Sequence, residues 1–239
     1  MAGGAYVALS GLRTRFEQLD RLASDLANFR TTGYKTERST HAVAERPTFD
    51  AALQSAIDVS SSDATVDFSA GTVVPTGNDL DFTIEGHGFF VIDTPGGPRY
   101  TRDGHFMRST DGLLTTTDGL AVRGTDGPIE LAPGELTVES DGTLKANGVI
   151  IGQLEVVDLE DYSQLKREGP SRFVDQSGAS PTTADVKVLN GSLEQSNVSM
   201  QERLAELTQV SRSFDALQRG ISVLMNDVDG RAITELGRR

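Results

Sequence analysis

The hydrophobic positions of this chain change rhythm twice. Near the N-terminus, Ala5, Leu9, Leu12, Phe16, Leu19, Ala23 and Leu26 alternate at spacings of four and three, the period of one helix face running as a heptad seam. Arg13, Arg15, Glu17, Asp20, Arg21 and Asp25 fall off that line. Thr31-Thr32-Gly33 ends the pattern, and glycine suits the left-handed position that closes many helices. The last segment repeats the scheme. Met200, Leu204, Leu207, Val210, Phe214, Leu217, Ile221, Leu224 and Val228 form a stripe, with Ser199 and Glu202 at capping-box spacing before it. At 1.5 Å per residue the two predicted helices run roughly 33 and 44 Å.

Between them the punctuation is that of β-structure. Asp-Gly recurs at 103–104, 111–112, 118–119, 126–127 and 141–142, followed by Asn147-Gly148. Such pairs suit hairpin turns that need positive φ. Apolar β-formers lie between them: Phe82-Thr83-Ile84, Phe89-Phe90-Val91-Ile92, Leu113-Leu114, Val149-Ile150-Ile151 and Leu154-Glu155-Val156-Val157. The predicted fold class is α+β, with long N- and C-terminal helices packed as a coiled-coil-like region and a β-rich antiparallel middle domain. The expected boundaries are 1–35 for the first helix, 36–79 for a linker, 80–190 for the β-rich domain and 191–239 for the last helix. Within the linker, Ala51–Ile57 has the look of a short helix and Ser60–Asp63 of a loop.

Charge sharpens this division. The chain of 239 residues has a net charge of −13, and residues 39–190 alone carry −14. Near-neutral ends around an acidic centre predict ends that pack and a centre that faces water. No clustered basic surface is present for sequence-independent nucleic-acid binding. No apolar run approaches the roughly 20 residues of a membrane span, so no membrane insertion is expected. The segment Met1–Ser10 lacks a positive n-region and an adequate apolar h-region, so a cleaved secretory signal is not expected. With no cysteine, thiolate chemistry and thiolate-ligated zinc are excluded.

Candidate chemistry is sparse. His41, His87 and His105 are the only histidines, and none forms a His-Glu-x-x-His pair. The Asp-Gly turns lack the Asp-x-Asp-x-Asp-Gly spacing of a calcium loop. Gly86-His87-Gly88 lacks the third glycine and the Lys-Ser/Thr of a phosphate loop. No catalytic residue, metal, cofactor or small-molecule substrate is predicted. Two rivals keep a chemical role in view. A β-module that binds peptidoglycan or another carbohydrate would favour exposed aromatics, yet there is no Trp and only four Tyr. A peptidoglycan hydrolase would need two opposed carboxylates, one with a raised pKa.

Four segments, in order, resemble the flagellar basal-body rod and hook protein family. Leu26-Ala27-Asn28-Phe29-Arg30-Thr31-Thr32-Gly33-Tyr34-Lys35 is similar to its N-terminal signature, with Arg30 where a small or polar residue is usual. Leu80-Asp81, Gly86-His87-Gly88-Phe89-Phe90 and Tyr100-Thr101-Arg102-Asp103-Gly104-His105-Phe106 followed by Asp111-Gly112-Leu113 resemble its central segment. Gly191-Ser192-Leu193-Glu194-Gln195-Ser196-Asn197-Val198 is similar to its C-terminal signature, and Arg212-Ser213-Phe214 falls where the last helix carries Arg, one residue, then an aromatic. The short 36–79 stretch and the ending Asp227–Gly237 look more like the family's F-type proximal rod subunits than its G-type distal ones; a distal rod or hook-type subunit is the alternative within the family.

The resemblance implies a structural subunit of the flagellar rod that polymerises through its terminal helices and transmits torque. Its partners would be other rod proteins, copies of itself and the flagellar type III export apparatus, and its place the periplasmic part of the basal body. The expected subunit-interface residues are Leu9, Leu12, Phe16, Leu19, Leu26, Leu204, Leu207, Phe214, Leu217, Ile221 and Leu224. The expected signature residues are Asn28, Thr31, Gly33, Tyr34, Lys35, Leu193, Glu194, Ser196, Asn197 and Val198. Without the resemblance, both stripes would more often mark an ordinary internal core than a subunit surface, and the signatures reverse that balance.

Overall fold

The computed structural model describes residues 2–39, 64–134, 136–184 and 186–236, with side chains over 11–38, 65–134, 136–184 and 186–222. The short helix and loop expected at Ala51–Ile57 and Ser60–Asp63 lie outside the described residues. The chain forms two compact units: residues 1–27, 38–65 and 199–239 make the first, and 28–37 with 66–198 the second.

The first unit contains one helix from each end of the chain, α1 (Ala2–Ala27) and α2 (Met200–Leu236). The expected fold class is corrected: the chain has a strand-rich middle between one helix at each end of its sequence, and these helices do not close as a coiled coil. Among the described side chains of α1 the buried positions are Leu22 and Asp25, at 3% and 1% exposure, whereas the seam residue Phe16 is 62% exposed. Ala23, also on the seam, is exposed. The covered line is displaced by one residue, about 100° around the helix axis. In α2, Val210 is buried while Leu204 is 43% exposed. The contact holds charge where a coiled coil would place a knob, with Arg203 Nε 3.4 Å from Asp25 Oδ2. Heptad spacing states which residues share a face. It does not state that the same chain covers that face.

The second unit is built on a six-stranded sheet. Its order is Leu165–Arg167, Arg172–Asp175, Gly97–Thr101, Phe89–Thr94, Val156–Asp158 and Thr182–Thr183, each strand antiparallel to its neighbours. Phe89–Thr94 is central and buried on both faces, so its apolar run divides by parity. Phe90 and Ile92 enter one core with Phe82, Phe106, Leu114, Leu144 and Leu154. Phe89 and Val91 enter a second with Tyr100, Leu165 and Phe173. There Phe68 packs edge-on against Phe89 and Phe173, at centroid distances of 5.3 and 5.0 Å. Each fully buried ring of this kind stabilises the unit by about 1.5–3 kcal/mol.

Short hairpins complete the first core. Asn147-Gly148 joins Thr143–Ala146 to Val149–Gln153 with φ of 51° and 80°, the pair of left-handed residues that a tight hairpin turn requires. Asp103-Gly104 does something else. Gly104 is no positive-φ turn residue; a Cβ there would lie 1.9 Å from the Phe82 carbonyl oxygen. Backbone crowding, not turn geometry, demands that glycine. Two further antiparallel ribbons bring the end of the unit back to its beginning: Phe82–Glu85 pairs with Lys187–Asn190, and Val73–Pro75 with Ser192–Glu194.

Candidate functional site

Past Ala27 the chain leaves the helix in successive turns. Thr31 N donates to the Asn28 carbonyl at 3.0 Å, and Tyr34 N to the Thr31 carbonyl at 3.3 Å. Gly33, at φ +65°, then donates its N–H to the Glu194 carbonyl at 2.9 Å. A Cβ on Gly33 would lie 2.2 Å from Asp103 N, so the position is closed to side chains by contact as well as by φ. The turn delivers Tyr34 and Lys35 into the interior, at 2% and 0% exposure. The Arg167 guanidinium covers the Tyr34 ring at 4.5 Å, pairs with Glu37 at 2.7 Å and donates to the Lys35 carbonyl.

Lys35 meets the other end of the unit. Its Nζ donates to Glu194 Oε1 at 2.5 Å and to the Ser69 carbonyl at 2.8 Å. Glu194 is itself 2% exposed. Its Oε1 also accepts from Gly71 N at 2.8 Å, while Oε2 faces Arg102 Nη1 at 3.5 Å. Arg102 is anchored on the Ile84 carbonyl at 3.2 Å and the Gly86 carbonyl at 2.5 Å. Asn197 closes the far side. It accepts from Thr36 N at 2.8 Å through Oδ1, and donates from Nδ2 to the Asp67 carbonyl at 2.8 Å. The N- and C-terminal signatures are thus two halves of one buried polar clasp.

Its electrostatics follow from two cations around one carboxylate. Burial pushes the pKa of Lys35 down, and the attraction and hydrogen bond of Glu194 oppose that. Burial likewise pushes Arg102 down against Glu194. A buried ammonium or guanidinium without its partner costs several kcal/mol, so Glu194 is what allows both cations to remain. Beside the clasp, burial raises the pKa of Asp103, while the Thr32 hydroxyl, donating at 2.6 Å, and the His105 N–H hold it down. A lysine with no exposed surface, held by one carboxylate and one carbonyl, is a structural cation and not a nucleophile open to substrate.

The remaining expected residues divide clearly. Leu193 is buried at 7% exposure. Asn28, Thr31, Ser196 and Val198 are half-buried, as are Leu12, Leu19, Leu26, Leu207, Phe214, Leu217 and Ile221. Phe16 and Leu204 are exposed. Leu9 and Leu224 lie outside the described side chains. Sequence reasoning passed over Arg102, Gly71, Ser69, Asp67 and Asp103. Arg102 and Asp103 sat within the Tyr100–Phe106 segment, directly after the strand Gly97–Thr101, with polar neighbours that gave no sign of burial. Gly71, whose Cβ would lie 1.8 Å from the Gln195 carbonyl oxygen, carried no local signal at all.

Comparison with known proteins bears on these same segments. A family model described as "Flagellar hook protein FlgE/F/G D1 domain" matches residues 83–151, and one described as "Flagellar basal body rod FlgEFG protein C-terminal" matches 189–225. Among curated relatives, the flagellar basal-body rod protein FlgF of Rhizobium meliloti is 34% identical, covering 99% of each chain. FlgF of Caulobacter vibrioides is 30% identical over 92% of each. FlgG of Bacillus subtilis is 28% identical over 90% of this chain and 92% of its own.

Proposed function

This chain belongs to the flagellar basal-body rod protein family, and we propose that it is a structural subunit of the proximal rod that polymerises through its terminal helices. The observation that carries this is apolar surface left uncovered on both helices. Phe16 is 62% exposed on α1, and Met200 and Leu204 are 40% and 43% exposed on α2. Each lies on a helix whose buried positions point elsewhere, so neighbouring subunits have apolar area to cover. Repeated contacts that do not close into a ring build a helical filament. Many modest contacts along helices suit a shaft that carries torque, and no catalytic step is required. The partners are other rod proteins and copies of this chain, with delivery into the periplasmic basal body by the flagellar export apparatus. The FlgF relatives, at 34% and 30% identity beside 28% for FlgG, favour the proximal over the distal rod.

The test replaces Phe16 or Leu204 by aspartate. Neither side chain is covered within the described subunit, so the purified variants should melt as the wild type does. Their basal bodies should lack a completed rod, and cells should not spread in soft agar. Normal rods in both variants would remove the helices from the interface.

A further inference from the structure

The family signatures are usually a mark of what subunits share, yet here their polar side chains are consumed by one another. Lys35, Tyr34, Gly33 and Glu194 are buried, and their hydrogen bonds run between residues 33–36 and 194–197 of a single chain. Asn28, Thr31, Ser196 and Val198 stay half-buried and Arg30 exposed, but the buried polar groups of the two signatures face each other. The clasp borders the second core, where the Arg102 guanidinium covers the Phe89 ring at 5.6 Å, but its ribbon is peripheral. Val73–Pro75, the ribbon partner of Ser192–Glu194, is exposed along its whole length, whereas Phe82 and Phe89–Ile92 are buried. Opening the clasp therefore need not dismantle the six-stranded sheet.

We propose that the two signatures form an intramolecular closing lock, in which Glu194 is the key that seats residues 31–36 on the second unit. Lys35 and Glu194 are 159 positions apart. Until the C-terminal signature is in place, Lys35 and Arg102 share a site with no Glu194 carboxylate. Two like charges there repel, and the cheaper state puts the Lys35 segment into water. The key also satisfies Gly71 N, and its backbone carbonyl takes Gly33 N, so the 31–36 and 69–72 segments lose partners together. The lock consequently ties the point where the chain enters this unit, after Ala27, to the point where it leaves, at Val198. The inference concerns one subunit and stands whether or not the helices polymerise.

Hydrogen exchange on the full-length chain tests it, comparing wild type with Glu194→Gln, Lys35→Met and Lys35→Met/Glu194→Gln. Glu194→Gln should cut amide protection by roughly 100-fold or more, and should do so in residues 33–37 and 193–198 together. Residues 89–94 should keep theirs. The double variant, having no ammonium left to bury, should recover at least about tenfold of the loss, the coupling expected of a direct pair. Lys35→Met alone keeps Glu194 on Gly71 and Arg102 and should protect both segments better than Glu194→Gln does. Unchanged protection of 33–37 in Glu194→Gln overturns the lock. So does a variant that fails to fold or loses 89–94 in parallel, because the clasp would then be ordinary core. Additive effects in the double variant would overturn the assignment of Glu194 as the partner of Lys35.

Discussion

At the scale of single residues, contact and conformation make separate demands that the sequence does not distinguish. Gly33 has φ +65°, which asparagine tolerates better than other side chains. If φ were the whole requirement, Gly33→Asn would be mild and Gly33→Ala worse. The 2.2 Å approach to Asp103 N predicts otherwise. Both should cost about 2 kcal/mol or more, because any Cβ must push backbone aside. Urea unfolding measures this, and wild-type stability in Gly33→Asn would leave φ as the sole constraint. Asp103 supplies a pH signature. Burial raises its pKa above the ordinary 3.8, so between that value and the higher folded one the native chain binds more protons than the unfolded chain. By linkage, its contribution to stability falls as pH rises through this window and returns on acidification. Relative to Asp103→Asn, the wild type should therefore gain stability as pH is lowered from 7 toward about 4. A constant difference in melting temperature across that range would show that the carboxyl is not held this way.

At the scale of elements, turns were legible and helix partners were not. The Asn147-Gly148 hairpin is set by two adjacent residues, and it forms where its dipeptide stands. The helical stripes are also local, but what covers them is not. Leu22 and Asp25 are buried in α1 although neither lies on the heptad seam, while Phe16 on the seam is 62% exposed. This displaced face predicts a contrast within one helix. Leu22→Ala should destabilise the first unit by about 2–4 kcal/mol, the range for emptying a buried leucine site. Phe16→Ala should change it by less than about 0.5 kcal/mol. Far-ultraviolet circular dichroism during urea titration reads both. The reverse ranking would restore the heptad seam as the buried face.

For the whole molecule, charge sets the terms of association. A subunit with net charge −13 repels its own copies until salt or contact overcomes the repulsion. Raising ionic strength from about 0.05 to about 0.3 M shortens the screening length from about 14 to below 6 Å. Self-association of the purified chain, followed by light scattering, should therefore rise with salt. A decrease would mean that attraction between opposite charges, and not apolar helix area, drives assembly.

The amino-acid sequence by itself determined the features that depend on near neighbours: two helical periodicities, a strand-rich middle, its turn dipeptides and the signature segments that mark the family. Each rests on residues a few positions apart, where spacing translates directly into geometry. Tertiary structure alone decided the rest. That Lys35 is buried, that Glu194 stands 2.5 Å from it, that Arg102 completes the site and that Gly104 serves a close approach are outcomes of chain return across as many as 159 positions. The heptad pattern likewise named a helix face without naming what covers it. Local chemistry fixes which conformations a segment prefers; burial of charge and apolar area is settled only when distant segments compete for the same volume.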